Sequence, residues 1–422
     1  MKEKRTIRKL VDNDFNFFLD IWAGAYPGQV PDNFTEDMKR EKKAEWIKTN
    51  DENTKVNFYG CFQDSKLLGG MILYDFEMNL YSKNIVKCGG IGEVCVDLLH
   101  KKEHVAKDLM IFAHKHYYDR GYCLTCLYPF APDFYARMGY GLGNKMNQYS
   151  FEPKALRLTT KGNISYLSIK DIKAISECFN RYATTTHGMI LREEESDAFK
   201  QLLRMKIIGY WENNILVGYL AFRLKRVEGG SWLQHDLHIM EFIYESPQAF
   251  LGLLSFLATQ QDQVHRIRYN THDHYFHHFL MEPRSRGNEN IFHIFQESNI
   301  QGVGIMYRVI NSSKFFNLLS DHNFGNQSIK LKLTIIDSFI PENDSQLIIH
   351  FQKGRPKVIP VGEDYNVELS IDIARFSSLV MGTIDLKKLY EYGLVQITNK
   401  TYLNSLNELF KTKESPFTFE PF

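Results

Sequence analysis

The chain has 422 residues, with 51 Lys and Arg against 50 Asp and Glu, a formal net charge of +1. That balance argues against a nucleic-acid or anionic-membrane partner. No apolar run reaches the ~18 residues of a membrane span, and the opening MKEKRTIRKLVDND lacks the apolar centre of a signal peptide. The length predicts about two to three domains. Six cysteines in so long a chain do not resemble a disulfide framework, and the sequence reads as a soluble, cytoplasmic protein.

A first helix is expected in DNDFNFFLDIWAGAY, with Asp12 placed to cap it. VNFYGCFQDSKLLGGMILYDFEMNL reads as two alternating strands joined by a polar turn at Asp64-Ser65-Lys66. An apolar strand, GGIGEVCVDLL, then feeds an amphipathic helix, HKKEHVAKDLMIFAHKHYYDRGY, which ends before Gly121. The next strand, YCLTCLYPF, contains a CxxC at Cys123 and Cys126. Three positions apart on a strand, these cysteines face opposite sides, which suits a buried strand better than a zinc knuckle or redox loop.

The same order of elements returns roughly 149 residues later. FYGCFQDSKLLGGMILY aligns without gaps on IIGYWENNILVGYLAFR, with Gly60 on Gly209 and Gly69 on Gly218, and IGEVCV then sets Glu93 on Glu241. A generic hairpin motif is the plainer alternative to a duplicated domain. In the second copy His272, His274, His277 and His278 cluster without a cysteine and at no established ligand spacing, so no metal site is expected. Past residue 300, alternating strands and two helical stretches predict an α+β domain. The tail ESPFTFEPF carries Phe417, Phe419 and Phe422, rings costly to leave in water, so a docked tail is expected.

Two stretches could carry chemistry. The strand-to-helix junction VDLLHKKEHVAKDLM leaves free backbone N–H groups at a helix start beside His100, Lys101 and Lys102, which makes a weak anion site. LYPFAPDFYARMGYG is too aromatic, and too broken by Gly and Pro, for ordinary helix or strand. Taken alone, Tyr135 within it reads as a core or rim aromatic.

Together, the order of elements, the junction and FYARMGYG resemble the GCN5-related N-acetyltransferases, and more narrowly the enhanced-intracellular-survival (Eis) acetyltransferases. The resemblance spans essentially the whole chain; the FYxRxGYG turn and the aromatic tail are its specific parts. It implies an α/β and α+β fold class, with tandem GCN5-related acetyltransferase folds followed by a sterol-carrier-protein-like α+β domain. The expected boundaries are 1–152 for the catalytic domain, 153–302 for a degenerate second copy and 303–422 for the last domain. It further implies acetyl-coenzyme A as co-substrate, with no metal. The diphosphate would meet Lys101, Lys102, His104, Val105 and Ala106, and the pantetheine arm the strand Val94-Cys95-Val96. In the family's pattern glycine is usual where His104 stands, and Glu103 adds a negative charge. Tyr135 matches the acid that protonates the departing thiolate, and the carboxylate of Phe422 matches the base. Trp22, Tyr26 and Glu420 are candidates for the amine pocket.

The implied activity is N-acetylation of a primary amine on a polycationic small molecule, aminoglycoside- or polyamine-like, or on a lysine side chain. Neither a nucleic acid nor a membrane is expected as partner, and a homo-oligomer, up to a hexamer, is. The alternative is a catalytically weakened protein that binds acyl-coenzyme A or lipid through its C-terminal domain.

Overall fold

Alternating apolar runs build the strands, and the two segments matched by the repeat each build a sheet. The computed structural model describes residues 5–31, 33–285 and 290–422. In chain order, the first segment gives β1 (Thr6–Lys9), α1 (Asp14–Ala25), α2 (Glu36–Glu52), β2 (Val56–Gln63), β3 (Lys66–Leu80), β4 (Asn84–Val96), α3 (Val105–Asp119), β5 (Leu124–Leu127), α4 (Pro132–Ala136), β6 (Gly141–Leu142) and β7 (Met146–Phe151). The second gives β8 (Ile164–Leu167), α5 (Ile172–Thr185), α6 (Asp197–Leu202), β9 (Lys206–Glu212), β10 (Ile215–Arg226), β11 (His235–Tyr244), α7 (Pro247–Ala258) and β12 (Val264–Thr271). A short hairpin, β13 (Asn290–Phe292) and β14 (Phe295–Gln296), precedes β15 (Asn299–Gly302) and β16 (Met306–Val309).

The two sheets exchange strands. The first runs β1-β2-β3-β4-β5-β16-β6 and the second β15-β7-β12-β11-β10-β9-β8. In β7, Asn147, Tyr149 and Phe151 alternate with more open neighbours, so one face seals the second core. All four residues of β16 are buried, as an interior strand between β5 and β6 requires. The exchange crosses cuts drawn at 152 and 302, because each sheet takes its closing strand from beyond its own segment.

The last segment forms a five-stranded sheet, ordered Arg355–Ile359, Ser345–Gln352, Ile329–Ile336, Val367–Asp372, Val395–Ile397, with flanking helices. Its core is continuous with the first domain, uniting Phe316, Leu331 and Phe376 with Met78, Cys88 and Cys126. All six cysteines are free and buried; Cys126 lies 3.6 Å from Cys88, Sγ to Sγ. No helix among the described residues is long and apolar enough to cross a membrane.

One local expectation is corrected. The N-cap of α1 is Asn13, without a side-chain bond, rather than Asp12. The Asp14 carboxylate takes the Val11 N–H (2.9 Å) and the Arg8 guanidinium (2.6 Å), so the charge sits inside the first turn.

Candidate active site

β4 and β5 are parallel neighbours for three residue pairs, Cys88–Leu124 to Gly90–Cys126, and then part. β4 runs on to Val96 without a partner on that side. It carries a bulge at Glu93, whose φ of 49° is the left-handed backbone that such a bulge requires. The divergence opens a cleft of about 650 Å3, lined by Tyr26, Val94–Val96, the 100–107 loop, Phe130 and Phe134.

The floor of the cleft is the start of α3. His104 is its N-cap, with φ 69° and no side-chain cap, so the first N–H groups of the helix lack acceptors. Lys101, Lys102 and Lys107 stand around them, which makes the site fit for an anion such as a diphosphate. The Glu103 carboxylate pairs with Arg5 (3.5 Å), which offsets its charge, and lies 3.1 Å from the His100 ring. Val105 is fully buried and packs into the first core, while Ala106 lines the cleft. The Val94 carbonyl, on the strand expected to meet pantetheine, already accepts from the Tyr26 hydroxyl at 2.8 Å. The Cys95 thiol is buried in the α1 core.

Tyr135 lies on the one-turn helix α4, in contact with the rings of Phe130, Phe134 and Tyr140. It is 2 % exposed, and burial pushes its phenol above the usual range. Among the described residues no hydrogen bond holds its hydroxyl. The glycines of the turn have a packing cause. Gly139 has φ 84°, and any side chain there would run into the Arg308 guanidinium, which pairs with Asp337 at 2.8 Å. Tyr140 is fixed by His114 (2.9 Å) and Thr125 (3.1 Å). Burial raises the Tyr26 phenol, followed by Cys95, Tyr135 and Glu93, which marks these groups as neighbours.

The tail docks. Phe417 packs on Phe419 (4.6 Å) and His272 (5.0 Å), and its N–H donates to the His187 carbonyl (2.8 Å). The Phe422 ring lies among Phe76 (5.0 Å), Tyr128 (5.2 Å) and Tyr74 (5.6 Å). Its carboxyl carbon is 3.2 Å from where a Cβ on Gly92 would stand, one residue before the bulge. Tyr135 belongs to the core cluster that includes Ile91 and Val94 of β4, and the Phe422 carboxyl lies against Gly92 of the same strand. Trp22 is buried and donates Nε1–H to Glu93 at 2.7 Å; burial raises the Glu93 carboxyl, opposed by that bond. Glu420 is engaged elsewhere, buried against Arg192 at 2.6 Å.

Sequence reasoning did not single out Gly92, Tyr74, Phe76, Tyr128 or Arg192. The one available signal was the glycine-rich run CGGIG inside an apolar strand, a mark of close approach by another chain segment. Of the histidine cluster, His272 meets the Lys145 carbonyl (2.9 Å) and His274 meets Asn147 (3.3 Å).

Family models match three parts of the chain. An acetyltransferase (GNAT) domain matches residues 6–143, a second acetyltransferase (GNAT) domain matches 186–308, and a sterol carrier protein domain matches 316–418. No curated protein matches the sequence. Among solved structures the chain is similar to a GCN5-related N-acetyltransferase from Anabaena variabilis, at 16% identity and TM-score 0.79, covering 99% of this chain and 100% of that one. A probable N-acyltransferase from Enterococcus faecalis shares 17% identity with TM-score 0.78, again over 99% and 100%. Eis1 from Mycobacterium abscessus shares 17% identity with TM-score 0.76, over the same shares. At these identities the likeness is one of fold, shared with Eis1 among others; the domain matches make the chain an acetyltransferase built of two acetyltransferase (GNAT) domains and a sterol carrier protein domain.

Proposed function

We propose that the protein moves an acetyl group from acetyl-coenzyme A to a primary amine of a polycationic small molecule, aminoglycoside- or polyamine-like, or of a lysine side chain. What supports this reading is a cleft with a cationic floor along β4, together with the Phe422 carboxyl against Gly92 of that strand and the buried Tyr135 phenol in the core cluster that includes Val94.

Bound in that cleft, acetyl-coenzyme A would supply an activated acyl group. Lys101, Lys102 and the N–H groups at the start of α3 would hold its diphosphate, with His104, Val105 and Ala106 shaping that floor. Val94, Cys95 and Val96 offer backbone along the arm. Tyr135 holds a proton for the departing sulfur. A phenol of pKa ~10 facing a thiol of ~8.5 is only about 2 kcal/mol uphill. Burial raises the phenol, and it raises a thiolate's proton affinity in the same dry site, so the gap does not widen in proportion. The Phe422 carboxyl, with an ordinary pKa of ~3.5, cannot strip an ammonium directly. It attracts the cationic acceptor, whose reacting nitrogen first gives one proton to solvent to free its lone pair, and it takes a second proton once attack makes that nitrogen acidic.

A cationic acceptor suits the field around this end of the cleft. Burial pushes the Tyr74 phenol up, and Glu93, Asp197 and Glu420 add to the rise, which places acidic side chains near this end of the tail, Glu420 among them offset by Arg192. Self-association, up to a hexamer, belongs to the same proposal; Ile291, Phe292, Ile294 and Phe295 expose apolar surface on the β13–β14 hairpin. A cytoplasmic setting also fits six free thiols. The test is thiol release from acetyl-coenzyme A with a panel of polyamines, aminoglycosides and lysine peptides. Release with at least one polycation and none with matching alcohols supports the reading; no release with any amine overturns it.

A further inference from the structure

The second acetyltransferase domain meets the tail at His187 and His272, both against Phe417, and farther along the tail at Arg192. Its segment runs beside the end of β3: the Leu191 N–H donates to Glu77 and the Asn79 N–H to Met189, at 2.9 and 2.8 Å. Arg192 therefore stands at the seam between the two acetyltransferase folds, with its side chain 2 % exposed. Its guanidinium donates to Glu420 (2.6 Å), to Glu241 (2.7 Å) and to the Phe419 carbonyl (3.2 Å), and lies 4.0 Å over the Phe179 ring. Asn180 grips the Arg192 backbone on both sides, at 2.8 and 3.0 Å, and the Tyr219 hydroxyl donates to Glu241 at 2.5 Å.

None of these groups touches the cleft. Glu420, however, is two residues from Phe422, and two extended residues span about 7 Å. With Glu420 clamped, and its carbonyl also held by Tyr128 at 3.1 Å, the last carboxyl has little room to wander from Gly92. Buried ion pairs of this kind are costly to desolvate and contribute little net stability, but breaking one by removing the shared cation is severe. Without Arg192, Glu241 and Glu420 would be two buried like charges facing each other, and the tail segment is the part free to leave.

We infer that Arg192 is a positioning residue, through which the second acetyltransferase domain sets the place of the Phe422 carboxyl against Gly92 of the first domain's β4. This rests on the role given to that carboxyl above. The test uses full-length enzyme and three readouts: kcat, KM for the thioester, and the rate at which carboxypeptidase Y releases Phe422. Arg192→Met should lower kcat about tenfold to a hundredfold, the scale of a small misplacement of a reacting group. The thioester KM should stay within about twofold of wild type, while Phe422 release accelerates. Arg192→Lys, which keeps the charge, should recover part of kcat. Arg192→Met with Glu420→Gln should be no worse than Arg192→Met alone, because the stranded like charge is gone.

Wild-type kcat in folded Arg192→Met overturns the inference, and so does a kcat loss matched by an equal rise in thioester KM. If Arg192→Met fails to fold, Glu420→Gln decides: unchanged kcat with unchanged Phe422 release overturns the inference. A chain with one glycine added after Phe422 separates the two levels. Full activity there sinks the role of the carboxyl and this inference with it. An inactive extended chain beside a fully active Arg192→Met sinks the inference alone.

Discussion

The two acetyltransferase domains pair their central strands in the same register, yet the first opens a cleft where the second packs aromatic rings. Gly69 faces Val96 and Gly70 faces Cys95 in the first, as Gly218 faces Tyr244 and Tyr219 faces Ile243 in the second. In both, the strand parts from its parallel neighbour, after Gly90 in β4 and after Ile239 in β11. In the second domain, rings fill the space beyond: Phe242, Tyr244 and Phe250 pack at 5.0 and 4.8 Å, with Phe279 and Tyr269 behind them. The basic loop is replaced by Ser246, which caps the Ala249 N–H, and by Pro247 at the first turn of α7. The paired glutamates diverge as well: Glu93 meets a tryptophan beside the cleft, whereas Glu241 is locked under Arg192 and Tyr219. A duplicated scaffold thus serves two ends, and what separates them is whether the divergence of two strands is filled by side chains.

The largest effect that would break this comparison is on the phenol. Tyr135→Phe should lower kcat by about a hundredfold or more while leaving coenzyme A affinity nearly unchanged, since only the transferable proton is lost. Wild-type turnover would remove Tyr135 from the chemistry. Next, Phe242→Ala should cost about 3–5 kcal/mol of second-domain stability by denaturant titration. Calorimetry should still count one coenzyme A per chain in wild type; two would mean that the filled domain is not filled in solution. A smaller effect is expected at His104, which holds a left-handed backbone at the diphosphate floor. His104→Gly removes both the backbone strain and the ring, so thioester KM should fall severalfold, a gain of about 1 kcal/mol. An unchanged or higher KM would mean that the imidazole itself contacts the ligand.

The smallest effect concerns Glu93. Burial raises its folded pKa above the ordinary carboxylate value, so its contribution to stability is complete below the unfolded pKa of about 4.5 and is lost as pH rises through the folded one. Glu93→Gln keeps an acceptor for Trp22 and carries no charge. Its melting temperature should exceed that of wild type at pH 8, and the difference should vanish towards pH 4. A variant that melts lower at pH 8 would show that the ionised carboxylate is needed there, opposite to the sense expected from burial.

Much of the fold was legible because local patterns and global architecture agree. The hairpin turn at Asp64-Ser65 is the left-handed turn its residues suggest, and the repeat of Gly69 on Gly218 is a repeat of strand register. The strand exchange was not legible, because nothing local in MNQYSF or MYRV says which sheet an apolar strand will close. The tail rings were recognisable as costly to expose, but their sockets come from four separate segments. Glu420 was expected near the amine; its nearest cation is Arg192, 228 positions away, and no spacing rule reaches that far.

The sequence by itself determined the aromatic turn and the helix start with its lysines, which follow from composition and period within a short window, and the tandem layout, which follows from a repeated segment. Only the tertiary structure decided what fills the second copy's strand divergence, where the last carboxyl comes to rest and that an arginine of the second copy pairs with Glu420, two residues before it. Those outcomes depend on side chains far apart in the chain competing for one volume, and close packing admits a single winner.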